Sequence, residues 1–134
     1  MSCFNCKFIG NFRPNPSLDG KKFIKFHGWS SEKKIYNISD IVIITSFVNN
    51  FPYVALESFS YGIPVVTLSK GDITKIVINK KNGLIIKKRN PEMLNKILKY
   101  VIKNYNYLSK NSYQTAKKFD EKKSCYAIWN YILK

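Results

Sequence analysis

The residues best suited to chemistry lie in NNFPYVALESFSYGIPVV, from Asn49 to Val66, where Glu57 is the single carboxylate in an otherwise uncharged run. Asn49 and Asn50 open the stretch, Phe51, Pro52 and Tyr53 follow, and Gly62 and Pro64 stand near its end. Pro52 suits the first turn of a helix, where a missing N–H costs little, and Gly62 suits the stop at its far end. A helix beginning near Phe51 would present unpaired N–H groups and the positive end of its dipole, which attract phosphate. Glu57 would then lie ~9 Å along the helix at ~1.5 Å per residue, too far in to act as a cap. From there it could accept hydrogen bonds from a diol such as a ribose while the helix mouth faces a diphosphate. The plainer reading is a partly exposed helix acid paired with a lysine, and spacing alone does not choose between them.

The elements that must position this stretch alternate strand and helix. CKFIG (6–10) and FIKFHG (23–28) read as strands ending at glycine, separated by the turn-rich NFRPNPSLDGKK. Ser30 or Ser31 offers an N-cap for SEKKIYNIS, with Ile35 and Ile38 facing inward. IVIIT (41–45) is a continuous apolar run, the mark of a central parallel strand buried on both faces. On the next helix Val54, Leu56, Phe59 and Tyr61 are the expected packing residues. IPVVTL (63–68) reads as another buried strand and KGDITKIVI as a short helix at most. A turn at Asn82-Gly83 leads into a strand over Leu84 to Ile86, and Asn90 caps a helix starting at Pro91. There Leu94, Ile97, Leu98 and Val101 form an apolar stripe opposite Lys96, Lys99 and Lys103. Two further helical stretches, LSKNSYQTAKKF and DEKKSCYAIWNYILK, complete the chain. Alternating units with buried strands predict an α/β fold with a mostly parallel sheet flanked by helices.

Composition narrows the class. The 134 residues suit one domain, and 45% hydrophobic content suits a packed core rather than disorder. No run reaches the ~20 apolar residues a membrane helix needs, and the start lacks a signal-peptide pattern, so a cytoplasmic chain is expected. Cys3 and Cys6 make one CxxC without a second Cys or His pair, since His27 is the single histidine. Free thiols, Cys125 included, are expected rather than a metal or redox centre. The net charge of +15 favours anionic partners. Its basic residues are nearly all lysine, with only Arg13 and Arg89 as arginines, and they are spread along the chain. Nucleic-acid readout, which favours clustered arginine or an aromatic platform, is not expected. Lys87-Lys88-Arg89 could approach an anionic lipid headgroup or simply form a solvated edge. Trp29 and Trp129 read as packing anchors, and His27 as a strand-end residue.

The pattern S-x-x-N-N-F-P-x-x-x-x-E-S-x-x-x-G-x-P-V-V, from Ser46 to Val66, resembles the donor-site motif of retaining GT-B glycosyltransferases of the group 1, or family-4, type. FHGWSSEKKIYNISDIVIITS before it and GDITKIVINKKNGLIIKKRNPEMLNKIL after it resemble that family's flanking motifs in the same order. AKKFDEKKSCYAIWNYIL resembles its closing helix. The resemblance covers roughly Phe23 to Leu133. It implies the C-terminal, Rossmann-like half of a GT-B fold, with a truncated first strand and loop over 1–22, a nucleotide-sugar-binding domain over 23–110 and C-terminal helices, one of them a crossover helix, over 111–134.

For the site, the resemblance places Glu57 on the donor's ribose and backbone amides of Asn50, Phe51, Pro52 and Tyr53 toward the donor's phosphate and sugar; of these, Pro52 has no N–H to give. Asn49 takes the position of the family's first motif acid, which contacts the sugar; an amide can bond hydroxyls but supplies no charge. Gly71-Asp72 replaces a Gly-Gly turn near the donor, and Lys75 replaces the acid that follows. The family's diphosphate-holding Arg and Lys pair is not matched, and Arg13, Lys21 and Lys22 could substitute only by chance. The implied activity is glycosyl transfer from a nucleotide-diphosphate sugar with no cofactor and no obligatory metal, in surface polysaccharide or glycolipid synthesis at the inner face of the membrane. The acceptor domain is not matched, so the chain reads as a split subunit with a separate N-terminal partner chain, or as the remnant of an interrupted gene. A degenerate half-domain that binds nucleotide weakly, or only associates with a partner, is the alternative.

Overall fold

The computed structural model describes residues 6–9, 24–27, 30–45, 53–68, 71–87 and 90–119. The chain divides into two compact units, Met1–Ile38 and Ser39–Lys134. In the first, strands β1 (Cys6–Ile9) and β2 (Ile24–His27) pair in parallel, Cys6 opposite Ile24 and Ile9 opposite His27. Helix α1 (Glu32–Tyr36) follows Ser31, which occupies the N-cap position without a side-chain capping bond. The expected inward residues differ here. Ile35 is half-buried, Tyr36 is buried and Ile38 is 45% exposed, because the helix stops at Tyr36 with Asn37 as its C-cap and Ile38 falls beyond its last turn.

The second unit is built on a three-stranded parallel sheet in the order β3 (Val42–Ile44), β4 (Val65–Thr67), β5 (Gly83–Ile85). Alternation along these strands divides their side chains between two apolar clusters. Val42, Ile44, Val65 and Ile85 face helices α2 (Tyr53–Ser60) and α3 (Ile73–Ile76), meeting Ala55, Phe59, Ile73, Ile76 and Val77. Ile41, Val66, Leu68, Leu84 and Ile86 face helices α4 (Pro91–Lys103) and α5 (Tyr105–Ala116), meeting Leu94, Ile97, Val101 and Leu108. A turn of 3-10 helix, Lys117–Phe119, ends the described chain. Among the described residues no helix is long and apolar enough to cross a membrane.

Local chemistry explains most boundaries. The Asn90 side chain accepts a hydrogen bond from Glu92 N at 2.8 Å, with Pro91 at the first helical position, the N-cap arrangement read from the sequence. Gly62, at φ +71°, ends α2: its N–H bonds Phe59 O at 2.9 Å and Ile63 N–H bonds Ser58 O at 3.0 Å. That pair of reverse bonds is the Schellman stop, which favours glycine. Two expectations shift. The face that α2 packs is Ala55, Ser58 and Phe59, while Val54 is 48% exposed and Tyr61 39% exposed. Ser58 can be buried because its Oγ donates to Ile63 O at 3.0 Å. IVIIT supplies β3, at one end of the sheet order, where Ile43 is 38% exposed; β4, with neighbours on both sides, is the strand buried throughout.

The outer side of β5 is closed by its own turn. Lys80 N donates to Gly83 O at 2.8 Å and Ile85 N donates to Asn79 Oδ1 at 3.2 Å, which leaves less edge for unwanted pairing. Asn82, wholly buried, ties this turn to α5. Its Oδ1 accepts from Ile78 N at 2.7 Å, its Nδ2 donates to Ile76 O and Thr115 Oγ1 at 2.9 Å each, and its carbonyl accepts from Ser112 Oγ at 2.9 Å. Replacing it by alanine strands a buried donor and acceptor at once. Asn82→Ala is expected to lose about 2–4 kcal/mol of unfolding free energy in a guanidinium titration.

Candidate functional site

The connection β3–α2–β4 joins two neighbouring parallel strands, so α2 runs antiparallel to them and its amino end lies at their carboxyl edge. Ligands of open parallel sheets gather at that edge. Of the residues expected to form the site, Asn49, Asn50, Phe51 and Pro52 lie outside the described residues. Tyr53, Glu57 and Gly71 are described.

Tyr53 opens α2 and is 65% exposed. Glu57 stands one turn further on, at the i, i+4 spacing that puts both side chains on one side of the helix. Ala55, Ser58 and Phe59 are the buried residues of α2, and at ~100° per residue Glu57 lies on the side of the helix away from them. It is half-buried there, neither walled into the core nor fully in water. Its carbonyl accepts from Ser60 Oγ at 2.7 Å, which tightens the last turn of the helix.

Gly71 follows β4 at the same edge, exposed and at φ +103°, in the left-handed range that favours glycine. Its carbonyl accepts from Thr74 N at 3.1 Å and Thr74 Oγ1 at 2.8 Å, bending the chain into α3. Lys75 and Asp72 form an exposed ion pair at 2.7 Å. The hydrogen bond to Asp72, aided by its charge, raises the Lys75 pKa above the ordinary lysine value. Lys75, which stands where the resembling motif has an acid, is thus held by its own neighbour.

One residue at this edge was passed over in the sequence. Thr67 ends β4, is wholly buried, and its Oγ1 has no hydrogen-bond partner. The available signal was a lone hydroxyl in the apolar run IPVVTL. A separate apolar hollow of about 430 Å³ lies at the carboxyl end of β5, lined by Ile85, Ile86, Lys87, Met93 and Ile97. Of the described site residues, Tyr53, Glu57 and Gly71 do not line it. Among the described residues no group of three or more His, Cys, Asp or Glu could hold a metal ion.

The model of the glycosyl transferases group 1 family matches residues 17–119. The chain belongs to that family. An uncharacterized glycosyltransferase of Methanocaldococcus jannaschii is 35% identical over 72 residues, 54% of this chain and 18% of the relative. A glycosyltransferase of Rickettsia africae superposes with a TM-score of 0.80 at 20% identity, over 98% of this chain and 40% of that one. Anabaena HepE, solved in complex with UDP-glucose, gives 0.70 at 19% identity, over 84% of this chain and 35% of that one. The C-terminal domain of a group 1 glycosyl transferase from Francisella tularensis gives 0.62 at 22% identity, over 73% of this chain and 54% of that one. The chain therefore spans less than a fifth of the curated relative and from about a third to about half of these structures. The likeness establishes the α/β, Rossmann-like architecture of GT-B glycosyltransferases.

Gly71 offers a direct check on the turn at this edge. Gly71→Ala places a Cβ in the left-handed region and is expected to cost about 1–3 kcal/mol, read as a lower midpoint of thermal unfolding. Thr74→Ala, which removes only the side-chain bond to the same carbonyl, should cost about 0.5–1.5 kcal/mol.

Proposed function

We propose that this chain supplies the donor-binding part of a retaining glycosyltransferase, taking a nucleotide-diphosphate sugar at the carboxyl edge of β3 and β4. The observation that carries this reading is Glu57: a half-buried carboxylate on α2, one turn from the start of the helix, at the position where the resembling motif binds ribose. A relative of the same fold, Anabaena HepE, was solved with UDP-glucose, which supports a uridine diphosphate as the first ligand to test. Glu57 accepts the ribose hydroxyls, and the N–H groups at the start of α2 meet the diphosphate.

In the transfer, the bond between the sugar's anomeric carbon and the phosphate oxygen breaks and a bond to the acceptor oxygen forms. The acceptor's proton leaves with the diphosphate, and the anomeric configuration is kept. No metal is assigned a part; amides and lysines offset the departing charge. The product enters surface polysaccharide or glycolipid at the inner face of the membrane, where the excess of lysine favours peripheral contact. Nucleic acid is not assigned as a partner.

Asn49 at the position of the first motif acid favours a second reading, a nucleotide-binding module with little or no transfer activity. Loss of one group that stabilises developing charge costs ~10²–10³ in rate. The isolated chain is accordingly expected to bind donor while turning it over slowly or not at all.

Thermal unfolding with UDP, GDP and UDP-glucose tests the proposal. The midpoint should rise with ligand concentration, by about 2.7 kcal/mol of added stability at a hundredfold excess over Kd. Glu57→Ala should remove most of that rise. A midpoint indifferent to all three ligands, or equal shifts in wild type and variant, would overturn the assignment.

A further inference from the structure

Helix α4 buries Ile97, Leu98 and Val101, and Ile97 and Val101 join the cluster with Val66, Leu84 and Ile86 of the sheet side. At ~100° per residue the side opposite those three carries Lys96, Lys99 and Lys103, and all three are exposed. Core packing thus fixes which way the lysines face. Two apolar residues border the row, Ile102 on one side, 52% exposed, and Met93 on the other, 46% exposed.

A helix face that meets only water gains from acids placed three and four residues from its lysines, and loses where like charges take those spacings. Here Lys96, Lys99 and Lys103 take them. Glu92 stands four residues before Lys96, yet among the described residues no ion pair joins the two. From Met93 to Phe119 there is no acid, while Lys110, Lys117 and Lys118 add further exposed charge. Glu92 and Lys103 suit the two ends of the helix dipole; Lys96 and Lys99, in its middle, gain nothing from it. The self-repulsion of this row is relieved by an anionic surface.

The residue types select the surface. Lysine ammoniums on flexible stems act as point charges, without the planar fork by which arginine grips phosphates and bases, and no arginine lies between Met93 and Phe119. Such a row reads negative charge spread over an area. Its apolar borders can enter a headgroup layer while the lysine stems lie along them with their charges in water.

We propose that the outward face of α4, the row Lys96, Lys99 and Lys103 bordered by Ile102 and Met93, is the surface that rests on an anionic lipid bilayer. This names the side that makes the peripheral membrane contact in the reading above and rests on that part of it; it does not depend on the donor site.

Co-sedimentation tests it, with vesicles of phosphatidylcholine alone and of phosphatidylcholine mixed with phosphatidylserine. Three chains are compared: the wild type, the triple variant Lys96→Gln, Lys99→Gln, Lys103→Gln, and a control triple, Lys33→Gln, Lys34→Gln, Lys81→Gln, which removes the same charge from other exposed positions. The wild type should bind the mixed vesicles, not the neutral ones, and release them in high salt. The α4 triple should bind about fivefold more weakly for each lysine, on the order of a hundredfold in all, and the control should lose far less. Both variants should keep the wild-type thermal midpoint, since exposed lysines are replaced. Equal losses in the two triples would assign the contact to net charge and sink the α4 face while peripheral binding stands. Tighter wild-type binding to a single-stranded RNA oligonucleotide than to the mixed vesicles, lost in the α4 triple, would give the face to nucleic acid and sink it too. If the wild type ignores anionic vesicles, the peripheral contact and this face fall together, while stabilisation by UDP still reports separately on the donor site.

Discussion

The structure rests on the double burial of one short strand. Val65, Val66 and Thr67 are all wholly shielded, so β4 needs an apolar layer on each face and a parallel neighbour on each side. That constraint calls for α2 and α3 on one face and α4 on the other, while α5 packs against α2 and gives Leu108 to one cluster and Ala116 to the other. A parallel neighbour reached through a helix forces that helix to return antiparallel to the strands. The amino end of α2 therefore lies at the carboxyl edge because of how the core is covered. Packing and site geometry share one cause.

The same constraint explains why Glu57 can be half-buried without weakening the fold. The helix buries Ala55, Ser58 and Phe59, of which Ala55 and Phe59 join the cluster with Ile44 and Val65, and Glu57 lies on the side away from them. At the far side of the sheet, Asn82 joins the α3–β5 turn to α5 through a set of buried bonds with no partner missing. One edge of the unit is fixed by a satisfied polar network. The edge at which ligands are expected holds the hydroxyl left unsatisfied.

Much of this was legible in the sequence because single residues carry strong local rules. Gly62 and Asn90 fixed two helix ends, Asn82 marked the end of a turn, and short apolar runs gave three of the strands. Two of the slips came from short helices. In α2 the sequence offers apolar residues nearly all round, so hydrophobicity alone could not say that Ala55 and Ser58 face inward in place of Val54. Ile38 looked like a core residue until the end of α1 at Tyr36 left it beyond the helical register. IVIIT carries the composition of a central strand, yet composition cannot order strands within a sheet. Thr67 was passed over because a single hydroxyl in an apolar run usually finds a backbone partner; whether it does is a property of the packed structure. Gly71 and Glu57 were expected from the resembling motif; the fold puts Gly71 after β4 and Glu57 on α2.

The most direct measurement of the central claim is a crystal structure of the chain with UDP bound. It should show the Glu57 carboxylate within about 2.6–3.2 Å of the ribose hydroxyls, with the phosphates at the amino end of α2. UDP seated in the apolar hollow of Ile85, Met93 and Ile97, or with its ribose away from Glu57, would contradict it.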